Sequence, residues 1–335
     1  MSHKKLIISN STLHSFASCE TKGILHTMGY CGEPSEANPK LMAGKCAHLC
    51  LEAWLQGKSP DECLQVFTDS YKHFSDTYIP DKGKFSQLRW ENLTKILSTY
   101  LALNPLNAMD FDVVETERQV LVELYSDSEV TILFSDKMDG KVRMHASGAL
   151  ASMEHKTGEW MDDEWFNRYD MDGQITGHIV AASVTENATI QNSGESVGSV
   201  IVNAIQFNQI PDLNDPTKRK KNGDFKSCST HHIPLDQCVL DHVKWARREF
   251  SRSLSDITLW RLETVRQALA YYHMLQDTGN DLVAVSTIPM RGLLNGHCAR
   301  CEFKPFCASG KRNQGYLMKQ PPRDDAVLSS GLYNA

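Results

Sequence analysis

The sequence of 335 residues lacks the features of a membrane or secreted protein. No apolar run approaches the ~20 residues that a membrane-spanning helix needs. The first residues, MSHKKLIISNST, carry too short an apolar stretch for a signal peptide. The chain also has no internal repeat and no G-x4-G-K-S/T phosphate-binding loop, so any ATP-driven step would come from a partner. We therefore expect a cytoplasmic protein with no membrane partner and no motor of its own.

Positive charge is in the minority, since the net charge is −6. An acidic chain argues weakly against nucleic-acid binding. The charge is uneven, however, because residues 216–319 contain 17 Lys and Arg against 9 Asp and Glu. A basic C-terminal half on an acidic chain is typical either of a localised surface for a polyanion or of an uneven surface that is merely solvated.

Cysteine is abundant for a cytosolic protein, in which structural disulfides are rare: the chain has 10. The segment HCARCEFKPFC brings Cys298, Cys301 and Cys307 close together in sequence. A soft metal centre held by thiolates normally takes four ligands, so a fourth must come from elsewhere. Single cysteines that we expect to be small buried hydrophobes are Cys31, Cys46, Cys50, Cys63, Cys228 and Cys238.

Hydrophobic periodicity predicts an α/β protein with a central mixed sheet flanked by helices and a helical arm from both chain ends. Predicted helices span residues 11–28, 41–56, 60–77, 86–103, 164–183, 235–254 and 259–277. Predicted strands, rich in Val, Ile and Thr, span residues 112–124, 129–139, 146–156, 198–209 and 227–233. We divide the chain into a helical region (1–110), a core (111–290), a cysteine segment (291–312) and a loose tail (313–335).

The stretch MDGKVRMHASGALASMEHKTG carries the most informative polar residues. Asp139 is predicted to end one strand and Glu154-His155-Lys156 to end its neighbour, with a turn near Gly140 between them. Glu154 and Lys156 are two residues apart and therefore face the same side of a strand. Two carboxylates beside a lysine are suited to metal-assisted phosphodiester hydrolysis. The same spacing also occurs by chance on surface strands.

Two further polar residues lie on predicted helices. His48 follows a glycine in GKCAHLCLEAWL, and Gln174 lies in DMDGQITGHIVAA. Either can contact a metal or substrate. A lone histidine on a helix is more often structural than a ligand, and Gln174 is equally compatible with a role as a satisfied core amide.

Taken in order, these motifs resemble the iron–sulfur members of the RecB-like branch of the PD-(D/E)XK nuclease superfamily. The similarity runs from about residue 10 to 310. SFASCETKGIL resembles the opening helix with its first cysteine, GKCAH the Gly-x-x-x-His motif, KMDG the aspartate motif and EHKTG the (D/E)-x-K motif. The resemblance implies a PD-(D/E)XK core with a helical N-terminal arm and a C-terminal segment fixed by an iron–sulfur cluster.

The resemblance also implies a set of site residues. His48, Asp139, Glu154 and the backbone carbonyl of His155 would bind one or two Mg²⁺ or Mn²⁺ ions, and Lys156 and Gln174 would assist hydrolysis. Cys19 with C-x2-C-x5-C would hold a 4Fe–4S cluster. Zinc is the alternative, and His297 or Cys31 could substitute as a ligand.

Three departures from the family pattern concern the same site. Met138 stands before Asp139 in place of proline. The usual Q-x-x-x-Y ends in His178, which removes the tyrosine expected to contact substrate. Asp136 lies close enough in sequence to compete with Asp139 for the metal-ligand role. We prefer Asp139 because it follows an apolar residue at the predicted strand end.

The expected function is therefore DNA exonuclease activity in recombination, repair, phage DNA metabolism or CRISPR adaptation. DNA contacts are expected from Lys218, Arg219, Lys220 and Lys221 in a loop and from Arg247, Arg248 and Arg252 on the following predicted helix. A helicase, a recombinase or a CRISPR integrase would be a partner, and a homo-oligomer is compatible with the sequence. The alternatives are a DNA-binding subunit with a vestigial site and a zinc-stapled structural protein.

Overall fold

A computed structural model describes residues 3–31, 38–183, 197–211, 215–229, 232–238, 240–279, 281–288, 296–311, 313–319 and 331–334. Its centre is a mixed β-sheet with helices on both faces, as predicted. The strands are β1 (Lys4–Ile8), β2 (Tyr30–Cys31), β3 (Phe111–Ser126), β4 (Val130–Met144), β5 (Leu150–Gly158), β6 (Val197–Gln206), β7 (Trp245–Ser251), β8 (Met318–Lys319) and β9 (Gly331–Asn334).

The main sheet runs β7-β6-β5-β4-β1-β9, and β3 pairs with β4 as well. Strand β3 follows almost the whole of one edge of β4. The opposite edge of β4 is therefore divided, because β1 pairs in parallel with residues 130–134 and β5 pairs antiparallel with residues 140–143. Residues 135–139 lie between these two partners. This interruption in the sheet positions the site described below.

The helices are α1 (Asn10–Ser18), α2 (Glu20–Thr27), α3 (Pro39–Leu55), α4 (Pro60–Tyr78), α5 (Trp90–Leu103), α6 (Asp163–Asn167), α7 (Gly173–Ala182), α8 (Leu235–Cys238), α9 (Leu254–Thr278), α10 (Leu282–Val285) and α11 (Lys304–Ala308). Local sequence explains where two of them begin. Ser59 forms a capping box with Glu62, and Ser253 forms one with Asp256, so orphan backbone N–H groups are satisfied at both N-termini.

Two hydrophobic cores lie on opposite faces of the sheet. Helices α3, α4 and α5 pack with Val142, Ala151 and Met153 on one face. Helices α1, α2 and α9 pack with β1 and with Leu150 on the other. Successive residues of a strand point to opposite faces of the sheet. Because both faces are covered, these strands are apolar on both sides.

Most predicted helices and strands are confirmed, including those at residues 41–56, 60–77, 112–124 and 198–209. The helix predicted at 11–28 breaks at Cys19, and the helix predicted at 164–183 breaks between α6 and α7. The prediction for 235–254 is wrong: before β7 only Leu235–Cys238 is α-helical in the described part of this range, and Trp245–Ser251 is strand β7, which pairs with β6. The described residues of 227–233 do not form a strand, since a single bridge joins Ser227 to Pro234.

The chain ends join the sheet more closely than predicted. Strand β1 was missed by the helical interpretation of the first hundred residues. In the segment predicted to be a loose tail, β8 pairs with β2 and β9 pairs with β1. In the described part of the chain, no helix combines the length and apolarity needed to cross a bilayer.

Candidate functional site: a carboxylate cluster at a divided sheet edge

Asp139 and Glu154 flank the point at which β4 and β5 separate. The last paired residues are Gly140 and Met153, and beyond them β5 pairs only with β6. The hairpin turn lies after Met144, so the prediction of a turn near Gly140 is wrong, and both acidic residues lie within strands rather than at strand ends. The separation leaves the backbone N–H of His155 without a ladder partner on β4. The side chain of Asp139 accepts this hydrogen bond, with 2.7 Å between N and Oδ2.

His48 reaches the same carboxylate from helix α3, as predicted. Its Nδ1 lies 3.5 Å from Asp139 Oδ1. Burial alone lowers the pKa of His48, but the hydrogen bond with Asp139 and the charges of Asp139 and Glu154 outweigh it, so the pKa is raised. Asp139 therefore joins an early helix to the central sheet.

Glu154, Lys156 and Gln174 form a second group beside the first. Lys156 Nζ donates to Glu154 Oε1 at 2.5 Å and to Gln174 Oε1 at 3.2 Å, and Gln174 Nε2 donates to Glu154 Oε1 at 3.2 Å. Asp172 at the N-cap of α7 accepts from the backbone N–H of Gln174 and fixes the start of this helix. Burial alone lowers the pKa of Lys156, but the charge of Glu154 outweighs it and raises the pKa, so Lys156 stays cationic.

His178 holds Glu154 from the other side. Its Nδ1 lies 2.7 Å from Asp136 Oδ2 and its Nε2 3.2 Å from Glu154 Oε2. Burial alone lowers the pKa of His178, but the two carboxylate charges raise it well above its ordinary value. His178 is only 2% exposed, so it positions a carboxylate instead of presenting a surface to substrate. Asp136 is engaged with His178, which leaves Asp139 as the aspartate beside His48.

The imidazole of His155 is buried on the side of the α3 core. Its Nδ1 lies 2.9 Å from Asn203 Nδ2, while its Nε2 has no hydrogen-bond partner among the described residues. Burial is the main reason that the pKa of His155 falls to about 4, so the ring is neutral at physiological pH.

Glu52 and Glu117 add to the acidic side of the site and were not predicted. Burial first, and then a hydrogen bond with Glu117, raise the pKa of Glu52 to about 7. Asp139 also contributes to this shift. The available sequence signal was the four-residue spacing from His48, which places Glu52 on the same face of α3.

Oxygen ligands with one imidazole are a donor set that suits Mg²⁺ or Mn²⁺. The side chain of Asp139 is 19% exposed, so it is accessible to an ion. In the described part of the chain, His48, Asp139 and Glu154 are not a group whose ligand atoms all lie within 4.8 Å of one another. These residue types are the ones that a hard cation prefers. In the structure, however, the Glu154 carboxylate contacts Lys156 and His178.

The four cysteines predicted to share a cluster line one cavity of about 470 Å³. Cys19 lies at the break between α1 and α2, in an extended conformation with φ of −164°. In a tetrahedral zinc site with bonds of about 2.3 Å the sulfurs would be ~3.8 Å apart. Among the described residues these cysteines do not form a group whose ligand atoms all lie within 4.8 Å of one another.

The basic residues fall into an exposed set and an engaged set. Arg219, Lys220 and Lys221 are exposed in the segment between β6 and β7. Arg247 and Arg248 lie on β7 and not on a helix. Arg247 donates to Tyr100, Asn104 and Asn203, Arg248 contacts Asp163, and Arg252 donates to Thr176 and Tyr169.

A cleft lies next to the Glu154 group. It has a volume of about 870 Å³ and lies between α1, α7 and α9. Gln174, Arg252 and His14 are among its lining residues. Gln174 therefore connects this cleft to Lys156 and Glu154.

Comparison with known proteins adds no relative. No protein-family model matches the chain, and no curated protein matches its sequence. Function must therefore be argued from the site itself.

Proposed function

We propose that the protein is a metal-dependent DNA nuclease with a PD-(D/E)XK core of the RecB-like iron–sulfur type. The observation that supports this most strongly is the placement of Asp139 and Glu154 on either side of the strand separation, with His48 beside one and Lys156 beside the other. Carboxylates, imidazole and ammonium from three separate chain segments converge there. A solvated surface strand with alternating charges does not explain a buried Glu154.

His48, Asp139, Glu154 and the carbonyl of His155 would hold one or two Mg²⁺ or Mn²⁺ ions. When bound, the ion would polarise the phosphate and acidify a water molecule. The cationic Lys156 can stabilise negative charge that develops on the phosphate. Gln174 orients Lys156, and His178 holds Glu154 ionised and in place.

The four cysteines Cys19, Cys298, Cys301 and Cys307 would hold a 4Fe–4S cluster. Because Cys19 lies near the N-terminus, this cluster would close a very long loop and stabilise the fold rather than take part in hydrolysis. Of the two alternative ligands suggested by the sequence, His297 lines the same cavity as the four cysteines. Cys31 is on β2, where its thiol donates to the carbonyl of Met318 at 3.5 Å.

DNA would approach along the exposed basic segment Lys218–Lys221 and the cleft beside Gln174. Contacts of lysine and arginine with phosphates position a strand without reading its sequence. A helicase, recombinase or CRISPR integrase would supply any unwinding or integration step. Exonuclease action on DNA ends is the mode that we favour by resemblance.

The direct test is cleavage of single- and double-stranded DNA labelled at the 5′ or 3′ end, with Mn²⁺ or with EDTA. Asp139→Asn is the sharpest variant, because the new amide oxygen can still accept from His155 N–H while the charge is lost. We expect a loss of cleavage by at least ~100-fold, comparable to removal of other groups that stabilise the transition state. Glu123→Gln, at an exposed position on β3, is the matched control and should remain active.

Two results decide the proposal. Metal-dependent cleavage by the wild type that is abolished in Asp139→Asn, with an unchanged melting temperature, supports it. DNA binding without any cleavage by the wild type refutes it and favours a non-catalytic subunit. Whether the 5′ or the 3′ label is released first shows the direction of cleavage along the strand.

A further inference from the structure

A second group of metal-ligating side chains lies far along the chain from the proposed nuclease site. Cys228, Cys238 and His242 bring their ligand atoms within 4.8 Å of one another. His242 Nε2 lies 3.4 Å from Cys228 Sγ and 3.6 Å from Cys238 Sγ. Among the described residues this is the only group of three or more Cys, His or acidic residues that is so close.

The surrounding segment gives these residues a structural context. Residues 207–244 connect β6 to β7 and contain little regular structure in their described part: four α-helical residues, two short 3-10 turns and two isolated bridges. Cys228 and Cys238 are 3% and 0% exposed. Their hydrophobic cluster contains only Leu235 and, at its edge, Phe225 in addition. Phe207, Ile210 and Val243 join the core formed by α3, α4 and α5, but among the described residues the middle of the segment has only this small cluster. Small units of this kind are usually stabilised by a metal or a disulfide.

The chemistry of the ligands selects the ion. Two thiolates and an imidazole are soft to borderline donors, which favour Zn²⁺ over Mg²⁺ or Ca²⁺. The spacing Cys-x9-Cys-x3-His places two ligands on consecutive short turns, α8 and the 3-10 turn that ends at His242. Binding would release two thiol protons, so that the ion and its two thiolates form a neutral centre.

We infer that Cys228, Cys238 and His242 form a zinc site that fixes the connection between β6 and β7. A fourth ligand completes the tetrahedron, either water or His232, whose backbone N–H donates to the carbonyl of Cys228 at 2.9 Å. This site is distinct from the cavity lined by Cys19, Cys298, Cys301 and Cys307. The inference does not depend on nuclease activity.

The site has a mechanical consequence for the basic segment. Lys226 N–H donates to the carbonyl of Lys218 at 2.8 Å, and Leu235 N–H donates to the carbonyl of Lys226 at 3.1 Å. These bonds tie the residues around Lys218 to the chain that enters Cys228 and α8. Zinc would therefore hold Lys218–Lys221 in a fixed position, and its loss would release them.

The test is zinc analysis of the full-length protein together with zinc K-edge absorption spectroscopy. We expect one zinc per chain, with two sulfurs at about 2.3 Å and nitrogen or oxygen at about 2.0 Å. This measurement needs no variant, so it remains decisive if substitutions prevent folding. Absence of zinc after growth with added zinc, or a shell of four sulfurs, would overturn the inference. So would a disulfide between Cys228 and Cys238 in the intact protein.

Variants then assign the ligands. Cys238→Ala and His242→Ala should weaken zinc binding more than ~100-fold, since even loss of an outer-shell partner costs 10–100-fold. Cys63→Ala is the matched control, because Cys63 is also fully buried but belongs to the core formed by α3, α4 and α5. Cys301→Ala should lose iron and keep zinc. Zinc retention in Cys238→Ala would contradict the assignment.

Discussion

His178 Nε2 lies 3.2 Å from Glu154 Oε2, and both side chains are almost completely buried. Asp136 holds the other nitrogen of the same ring at 2.7 Å. With Lys156 on the far side of Glu154, two carboxylates and two cations neutralise one another in the interior. The histidine that replaces the tyrosine of Q-x-x-x-Y is therefore a positioning residue for a proposed metal ligand.

Replacing this histidine should destabilise the fold. His178→Gln leaves Asp136 and Glu154 as buried carboxylates, with only Lys156 to compensate their charges. Breaking a buried ion pair in this way costs about 3–5 kcal/mol. The free energy of unfolding in urea measures the effect, with His273→Gln on the exposed surface of α9 as the control. A difference below about 1 kcal/mol between the two variants would mean that the pair is not formed.

The same histidine predicts how stability depends on pH. Its pKa is raised in the folded state, so its contribution is fully present below the unfolded value of about 6.5 and is lost as pH rises through the folded value. In EDTA, the wild type should lose up to about 1.4 kcal/mol per pH unit relative to His178→Gln over that window. Parallel stability curves for the two proteins above pH ~6.5 would exclude a charged His178.

Sequence reasoning predicted that these side chains lie near one another, but the local reason that it gave is wrong. His48, Asp139, Glu154, Lys156 and Gln174 do converge, as the motif order predicted. The predicted cause was two strands that end side by side, whereas the strands continue and separate. That separation depends on β1 sharing an edge of β4 with β5, which is a long-range pairing that local patterns do not encode.

The basic residues should divide into two functional sets. Replacing Lys220 and Lys221 by alanine should weaken DNA binding and reduce the slope of log K against log salt by about 2, because two phosphate contacts are lost. Fold stability should not change, since both side chains are exposed. An unchanged slope would show that these lysines do not contact DNA.

Arg247 should behave in the opposite way. Its guanidinium donates to Tyr100, Asn104 and Asn203, so Arg247→Gln removes three hydrogen bonds to buried groups, of which only Asn203 Oδ1 keeps the Tyr100 hydroxyl as a donor. We expect a loss of about 2–4 kcal/mol in unfolding free energy and an unchanged salt slope. If the salt slope of DNA binding changes while the unfolding free energy does not, Arg247 contacts DNA.

The misplaced helix at 235–254 explains why Arg247 and Arg248 were assigned together with the lysines. Apolar residues recur there at helix-like intervals, but Trp245–Ser251 completes the sheet edge beside β6, and the gain from pairing outweighs helix propensity.

The cysteine cluster was also missed, because Cys228 and Cys238 were predicted to be small buried hydrophobes. Their proximity to His242 depends on turns that no short motif predicts.

Iron binding should require cysteines from both ends of the chain. Cys19→Ala and Cys301→Ala should each abolish the broad absorption near ~400 nm of anaerobically purified protein. Cys46→Ala, at a buried core position, is the control and should remain brown. A colourless wild type containing zinc in the four-cysteine cavity would refute the iron–sulfur assignment.

Anomalous diffraction from crystals soaked in Mn²⁺ tests the central claim most directly. The account predicts an anomalous peak bound by Asp139 and Glu154 and close to His48, with Lys156 beside it, and its loss in Asp139→Asn. Saturating Mn²⁺ that leaves these side chains without a peak, with Glu154 still held by His178 and Lys156, would contradict the existence of a hydrolytic metal centre.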